Sequence, residues 1–247
     1  MEDPSRTSFG FENVSPDLKT DKVKDVFRQV AEKYDVMNDV MSMGLHRLWK
    51  TQFVRSLPLS GRPHILDMAC GTGDISEAIL RHTPQARLTL GDINKDMLRV
   101  GQQKHKGSRL SQCPWLCVDA TDLPFEDMTF DIYVIAFGIR NVTGLHQALK
   151  EARRVLKPGG YFSCLEFSTV FLPCLKKVYD LYAFHAIPKF GEWILGNAQP
   201  YQYLVESIER FPDQETFKQT LKNSGFENVR YQNLNFGVAS IHRGWRV

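Results

Sequence analysis

Apolar residues in the central part of the chain switch repeatedly between two periods. Short continuous or alternating runs at 64–68, 87–92, 115–119, 130–137 and 161–167 read as strands. Helical spacing fills 74–82, 94–104 and 144–156 between them, and Asn94 stands where a cap is needed. Lys157-Pro158-Gly159-Gly160 is a strong break before the fifth run. Such alternation predicts a parallel sheet with right-handed crossovers. The tail differs. Asp213 can cap a helix with Phe217 and Leu221 inward and Gly225 as its stop. Runs at 229–234 and 238–245, joined by Asn235-Phe236-Gly237, predict a hairpin on the sheet edge.

The flanks are helical in pattern. Residues 1–19 are polar with two prolines and read as ragged. Thr20 can cap a helix carrying Val23, Val26, Phe27, Val30, Ala31 and Tyr34, and a second helical stretch runs over 46–56 until Pro58. Residues 35–44 connect the two. Their methionines Met37, Met41 and Met43 suit either core filler or an adaptable pocket wall. Residues 169–210 are too long for a connection and rich in aromatics, Tyr182, Trp193 and Tyr201 among them. They read as helices over the open end of the sheet, either extra core or a lid for a flat apolar substrate. The expected division is an arm (1–58), a cofactor-binding core (59–168), an insertion (169–210) and a C-terminal helix and hairpin (211–247).

Composition narrows this modestly. A chain of 247 residues, 43% hydrophobic, suits one large α/β domain with additions. No run is long and apolar enough for a membrane span. A net charge of +3 is too mild to argue for nucleic acid. Five cysteines, with no secretory signal, fit a reducing compartment. Cys113 and Cys117 form a lone C-x3-C with no matching pair, so no metal is expected.

The candidate chemistry starts at Asp67-Met68-Ala69-Cys70-Gly71-Thr72-Gly73-Asp74, a strand end, a tight turn and a helix start. Glycine admits close backbone approach, and the helix start offers unpaired N–H groups. A dinucleotide fingerprint would carry a third glycine where Ser76 stands, which argues against NAD or FAD. Asp92, followed by Ile93, ends the second strand, where a carboxylate can accept both hydroxyls of a ribose. Asp119 ends the third, where it can accept from an adenine amino group while the Ala120 N–H donates to a ring nitrogen. Asp67 can meet a cofactor ammonium or order the turn. Each acid alone suits a helix cap; together with the Gly turn they point to S-adenosylmethionine, held by Asp67, Gly71, Gly73, Asp92, Ile93, Asp119 and Ala120. In-line transfer from a sulfonium needs chiefly positioning and desolvation.

The fourth strand runs into Ala136-Phe137-Gly138-Ile139-Arg140-Asn141-Val142, where the transferred methyl should point. No Asn/Asp-Pro-Pro-Tyr/Phe motif, no Pro-Cys at this place and no carboxylate cluster follow, so amino, cytosine-C5 and metal-dependent catechol methylation are disfavoured. Arg140 and Asn141 remain as catalytic candidates. A guanidinium can stabilise a phenolate and so activate the adjacent ring carbon; the same Arg140 suits a structural pair with a nearby acid.

Several stretches are more specific. Lys33-Tyr34-Asp35-Val36-Met37-Asn38-Asp39, Gly44-Leu45-His46-Arg47-Leu48-Trp49-Lys50, Phe137-Gly138-Ile139-Arg140-Asn141-Val142-Thr143 and Tyr201-Gln202-Tyr203-Leu204-Val205-Glu206-Ser207-Ile208 resemble the ubiquinone/menaquinone biosynthesis C-methyltransferases. The resemblance runs from about Phe9 to the end. It implies an α/β, Rossmann-like class I methyltransferase fold: a seven-stranded, mostly parallel sheet with an N-terminal helical arm and a helical insertion after strand five. It implies C-methylation of 2-methoxy-6-polyprenyl-1,4-benzoquinol, with demethylmenaquinol as the alternative acceptor; a phenol O-methyltransferase on the same fold competes. Cofactor positions of the family carry over to Thr72, Asp92, Asp119 and Ala120. Ala136 stands where bacterial relatives use a serine, leaving only backbone to serve. Cys70 stands where many relatives have glycine. Tyr34, Asn38, Met41, Tyr182 and Tyr201 are the expected substrate-pocket groups. Expected partners are the polyprenyl quinol, a membrane surface, a second copy and a quinone-biosynthesis complex. The expected place is the matrix face of the mitochondrial inner membrane, peripherally, or else the bacterial cytoplasm.

Overall fold

The computed structural model describes residues 6–247. Seven strands form one sheet: β3 (His64–Met68), β4 (Arg87–Asp92), β5 (Trp115–Cys117), β6 (Phe130–Ala136), β7 (Leu156–Phe167), β8 (Glu227–Leu234) and β9 (Ala239–Trp245). Their order is β5-β4-β3-β6-β7-β9-β8. The first five are parallel, β9 runs antiparallel to β7, and β8 antiparallel to β9. The expected mostly parallel sheet and edge hairpin are therefore present. Strand order reverses between β3 and β6, which opens a crevice above their carboxyl ends.

Both faces of the sheet are covered, which is why its strands read as near-continuous apolar runs. Ile65, Leu90 and Val134 belong to one core; Leu66, Met68, Tyr133 and Ile135 belong to the other. Adjacent residues of a strand point to opposite faces, so each strand feeds both. The second core is closed by α6 (Leu145–Val155), with Ala148, Leu149, Ala152 and Val155 inward, and α10 (Gln214–Asn223), with Phe217 and Leu221. Asn94 caps α5 (Lys95–Lys104), accepting from the Asp96 and Met97 N–H groups, and Asp213 caps α10 through Thr216. Between β3 and β4 lies α4 (Asp74–His82).

The N-terminal arm is more ordered than its polar sequence suggests. Thr7–Phe9 (β1) and Glu12–Val14 (β2) pair as a small antiparallel ribbon, and α1 (Pro16–Val30) starts at Ser15, with Pro16 in its first turn. Thr20 is therefore inside the helix and not its cap. Proline is preset for the first helical position, and this outweighs the capping preference of threonine. Residues 35–44, read as a connection, are mostly helix: α2 (Tyr34–Ser42) ends at Met43, in the left-handed region at φ 50°. α3 (His46–Arg55) follows. Strand β5 stops at Cys117, so Asp119 sits just beyond it in a turn bridged to Asp122.

The insertion consists of α7 (Pro173–Leu181), a π-helical turn (Tyr182–Ala186), α8 (Ile187–Leu195) and α9 (Gln199–Arg210). Helix α9 packs on α1 and on the short turn Ile139–Asn141 that follows β6. Arm and insertion thus meet at the carboxyl ends of the strands.

Candidate active site

The turn after β3 is shaped by three residues with positive φ: Ala69 (53°), Gly71 (56°) and Gly73 (87°). Its backbone is held by the Cys70 N–H on Gly91 O (3.1 Å) and the Gly73 N–H on Cys70 O (2.9 Å). Gly73 serves packing as much as conformation. A Cβ there would lie 2.6 Å from Trp115 Cη2. Cys70 is buried, with Sγ on the Gly71 carbonyl (3.8 Å), and burial pushes its thiol up well away from thiolate formation. It is a small apolar filler of the turn.

A cleft of ≈740 Å3, counted to its open mouth, lies over this turn. Gly71, Asp92, Ile93, Asp119, Ala120 and Asn141 line it, together with Thr20, Val23, Lys24 and Phe27 of α1. A smaller recess of ≈310 Å3 is lined by Asp67, Thr72, Ala136, Lys50 and Asp74. Ala69 and Phe137 line both. The sequence-predicted cofactor residues therefore divide. Asp67, Thr72 and Ala136 face the recess, and Gly73 faces Trp115 rather than either space.

Asp92 is buried, and each of its oxygens accepts a backbone N–H: Oδ2 from Gly71 and Oδ1 from Asn94, both at 2.8 Å. Each oxygen keeps a second lone pair for a hydroxyl in the cleft. Burial raises its pKa to about 6 against the pull of the backbone N–H groups of Asn94, Gly71 and Ile93. Asp67 is more deeply buried, takes one short bond from Ser76 Oγ (2.6 Å), and burial raises it to about 7. Asp119 is half-buried, and the two bonds it accepts from Thr121 both use Oδ1. Lys50 Nζ is 2.7 Å from Asp74 Oδ2 at the start of α4.

Beyond β6 the backbone turns through Phe137, again at positive φ (56°). Two non-glycine left-handed residues, Ala69 and Phe137, thus flank the cleft. Strain of this kind is kept where the surroundings over-determine it, commonly at functional sites. Asn141 is 8% exposed; its Oδ1 accepts from Tyr203 OH (3.0 Å) while its Nδ2 has no partner. A buried amide without a partner is rare, and a ligand acceptor at the cleft can supply the one Asn141 lacks.

Arg140 is placed differently from the expectation. Its side chain is 4% exposed and paired with the fully buried Glu166 at 2.6 Å. It also donates to Phe137 O (2.8 Å) and to Ser207 Oγ (3.3 Å), and lies over the Phe167 ring. The guanidinium is occupied and does not line the cleft. Uncompensated Glu166 within an apolar strand would be costly, and Arg140 is the cation that neutralises it. Arg140 is thus a positioning residue: it clamps the turn that presents Asn141.

A family model described as the ubiE/COQ5 methyltransferase family matches residues 15–246. This chain belongs to the ubiE/COQ5 methyltransferase family. It is 49% identical over 244 residues to the mitochondrial 2-methoxy-6-polyprenyl-1,4-benzoquinol methylase of Caenorhabditis elegans, covering 98% of this chain and 85% of that one. It is 48% identical over 244 residues to the ubiquinone/menaquinone biosynthesis C-methyltransferase UbiE of a Ruegeria strain, covering 98% of each. Among solved structures, an S-adenosylmethionine-dependent methyltransferase of Thermotoga maritima superposes with TM-score 0.63 at 18% identity, covering 90% of this chain and 99% of that one. A methyltransferase of Haloferax volcanii, solved with its Trm112 activator, gives 0.64 at 18% identity over 91% and 97%. These last two establish the class I methyltransferase fold.

Within this methyltransferase the expected substrate-pocket residues are mostly walled in. Tyr201 is fully buried against Gly191, and its hydroxyl has no partner. Met41 is core, and Asn38 is buried with its Nδ2 unpartnered. Tyr182 OH donates to Val40 O (2.6 Å), tying the π-helical turn to α2. The side chain of Tyr34 lies outside the described residues. Of these, Asn38, Met41, Tyr182 and Tyr201 do not line the cleft. The site residues missed from sequence are Ala69, Lys50, Glu166 and the inner face of α1. Glu166 carried a signal, a lone acid in a largely apolar strand, which must have a partner. For α1, the apolar spacing showed that Val23 and Phe27 point inward, but not toward what.

Proposed function

We propose that this methyltransferase transfers the methyl group of S-adenosylmethionine to a ring carbon of a reduced polyprenyl benzoquinol, 2-methoxy-6-polyprenyl-1,4-benzoquinol being the acceptor its relatives' names indicate. The observation that carries the reading is the unpartnered Nδ2 of buried Asn141, held by Tyr203 at the edge of a cleft whose other end is built of Asp92 and Asp119.

The residues fit such a cofactor. Buried Asp92 suits a ribose diol, Asp119 with Ala120 an adenine edge, and the recess with Asp67 and Lys50 the ammonium and carboxylate of an amino-acid end. The cofactor, when bound, supplies an electrophilic methyl on a sulfonium. The remaining work belongs to the protein. A ring hydroxyl that gives its proton to water at the open mouth of the cleft makes the adjacent carbon nucleophilic, and the Asn141 amide can donate to the oxyanion that forms. The methyl–sulfur bond breaks as the carbon–carbon bond forms; the ring C–H proton then passes to water and aromaticity returns. Helix α1 walls the cleft, and displacement of water from it on binding strengthens each contact. Arg140 keeps Asn141 in place.

An aromatic group sits beside the strand ends: Phe137 and Phe167 (5.0 Å between centroids) with Trp49 edge-on to Phe167 (5.9 Å). Trp49 and Phe167 are buried in the core and back Phe137, which lines the cleft and can meet a flat ring acceptor. Exposed Trp193 (84%), Leu181 (63%) and Phe190 on the insertion support peripheral association with a lipid surface, where a polyprenyl tail resides. No helix among the described residues is long and apolar enough to cross a membrane. We place the protein at the matrix face of the mitochondrial inner membrane, with a bacterial cytoplasm as the alternative; both kinds of relative occur. The test is methyl transfer from labelled S-adenosylmethionine to a panel of reduced and oxidised quinones. Label in the benzoquinol and not in the oxidised quinone supports the reading; label in neither contradicts it.

A further inference from the structure

A separate cavity of ≈580 Å3, counted to its open mouth, backs onto the turn that carries Asn141. Its polar lining includes Lys19, Arg140, Arg210, Ser8, Thr143 and Ser207, and no carboxylate lines it among the described residues. Arg140 is neutralised by Glu166. Lys19 is not matched in this way. It is 6% exposed, and its Nζ makes a long contact, 3.4 Å, with Val142 O. An ammonium has three protons to donate, and burying one without a carboxylate is costly. Burial accordingly lowers the Lys19 pKa. On α9, Glu206 is already engaged by the Phe11 N–H and the Gln202 amide. Arg210 lies over the Phe11 ring and lines the cavity.

We infer that this cavity binds a phosphate-class oxyanion, held by Lys19 and Arg210 with the hydroxyl of Ser8 as a further donor. The anion supplies the acceptors that the Lys19 ammonium lacks. Its position gives it a consequence. Val142 and Thr143 line both this cavity and the cofactor cleft. Helix α1 sends Lys19 to the one, and Thr20, Val23 and Phe27 to the other. An anion here ties α1 to the 139–145 turn, both of which wall the cofactor cleft, so anion and cofactor binding reinforce each other.

The experiment uses the full chain and reads thermal midpoint and S-adenosylhomocysteine affinity, neither of which depends on which acceptor is methylated. Inorganic phosphate and glycerol 3-phosphate are titrated separately at ionic strength held constant with chloride. Expected is a saturable rise in midpoint with at least one of them, and S-adenosylhomocysteine affinity tightened by about fivefold at saturation. A response to inorganic phosphate identifies the free ion as sufficient; a response to glycerol 3-phosphate alone identifies an organic phosphate. Lys19→Met and Arg210→Gln each remove the response. Arg210 is exposed, so Arg210→Gln keeps the test intact should Lys19→Met fold poorly. No shift beyond the chloride control, or an undiminished shift in Arg210→Gln together with Lys19→Met, overturns the inference.

Discussion

Gly138 and Ala69 touch where the two turns of the site meet: a Cβ on Gly138 would lie 2.4 Å from the Ala69 Cβ. The next nearest atom, Ile135 Cγ1, is 3.6 Å away, so the crowding is specific to Ala69. Both positions line the cofactor cleft. The ends of β3 and β6 are thus packed with no room for one methyl, and the cleft width depends on that approach.

Gly138→Ala tests this. Backbone-borne Ala69 has no rotamer with which to give way, so the turns must separate. Overpacking of this kind costs about 1–3 kcal/mol. The thermal midpoint is expected to fall, with S-adenosylhomocysteine affinity down by about tenfold or more. Normal affinity measured by calorimetry would show that the approach does not set the cleft.

The buried acids predict a pH dependence. Asp67 and Asp92 titrate near 7 and 6 in the free protein, both raised by burial. A cationic cofactor favours their ionised forms, so it binds with release of protons. Affinity for S-adenosylmethionine therefore rises from about pH 5 to about pH 7.5 and then levels. Stability of the free protein runs the other way. Between the ordinary carboxylate value and these raised values the folded state holds more protons than the unfolded one. These two groups therefore favour folding most at low pH and do so less as pH rises through 7. Asp67→Asn is expected to flatten the upper part of the affinity curve. Affinity independent of pH in the wild-type protein would remove both acids from cofactor binding.

For Arg140, Arg140→Lys is expected to lose most of the turnover while keeping cofactor affinity. One ammonium cannot reach Glu166, Phe137 O and Ser207 together as the planar fork does. Glu166→Gln leaves the guanidinium buried without its counter-charge and is expected to cost about 3 kcal/mol of stability. Full activity in Arg140→Lys would show that clamping the Asn141 turn is unnecessary.

Lys50 faces the recess assigned to the amino-acid end of the cofactor. Lys50→Met is expected to erase the preference for S-adenosylhomocysteine over its decarboxylated analogue, with adenosine affinity unchanged. Calorimetry with the three ligands decides it. A preference retained in the variant would move the carboxylate elsewhere.

Much of this was legible in the sequence because it is local. The alternation of strand and helix, the caps at Asn94 and Asp213 and the placing of Asp92 each follow from neighbours within a few residues. The helical nature of 35–44 was masked by the Asp, Asn and Ser residues spaced along it, whose weak propensity is outweighed by packing of Met37 and Met41. A structural pair with an acid was one expectation for Arg140, but the partner, Glu166 in β7, lies 26 residues from the turn that carries Arg140, and such pairing has no local signature. The same holds for Ala69 against Gly138: an alanine and a glycine show nothing in sequence of a contact between two strand ends. The arm and insertion were legible as helices, but their convergence on Asn141 through Tyr203 is a tertiary fact.

The account rests on carbon methylation of a quinol. The most direct measurement incubates the full chain with methyl-labelled S-adenosylmethionine and reduced 2-methoxy-6-polyprenyl-1,4-benzoquinol, and maps the label in the product by NMR. The account predicts label on a ring carbon, with the signal lost in Asn141→Ala. Label on a ring oxygen, or undiminished transfer in Asn141→Ala, would contradict it.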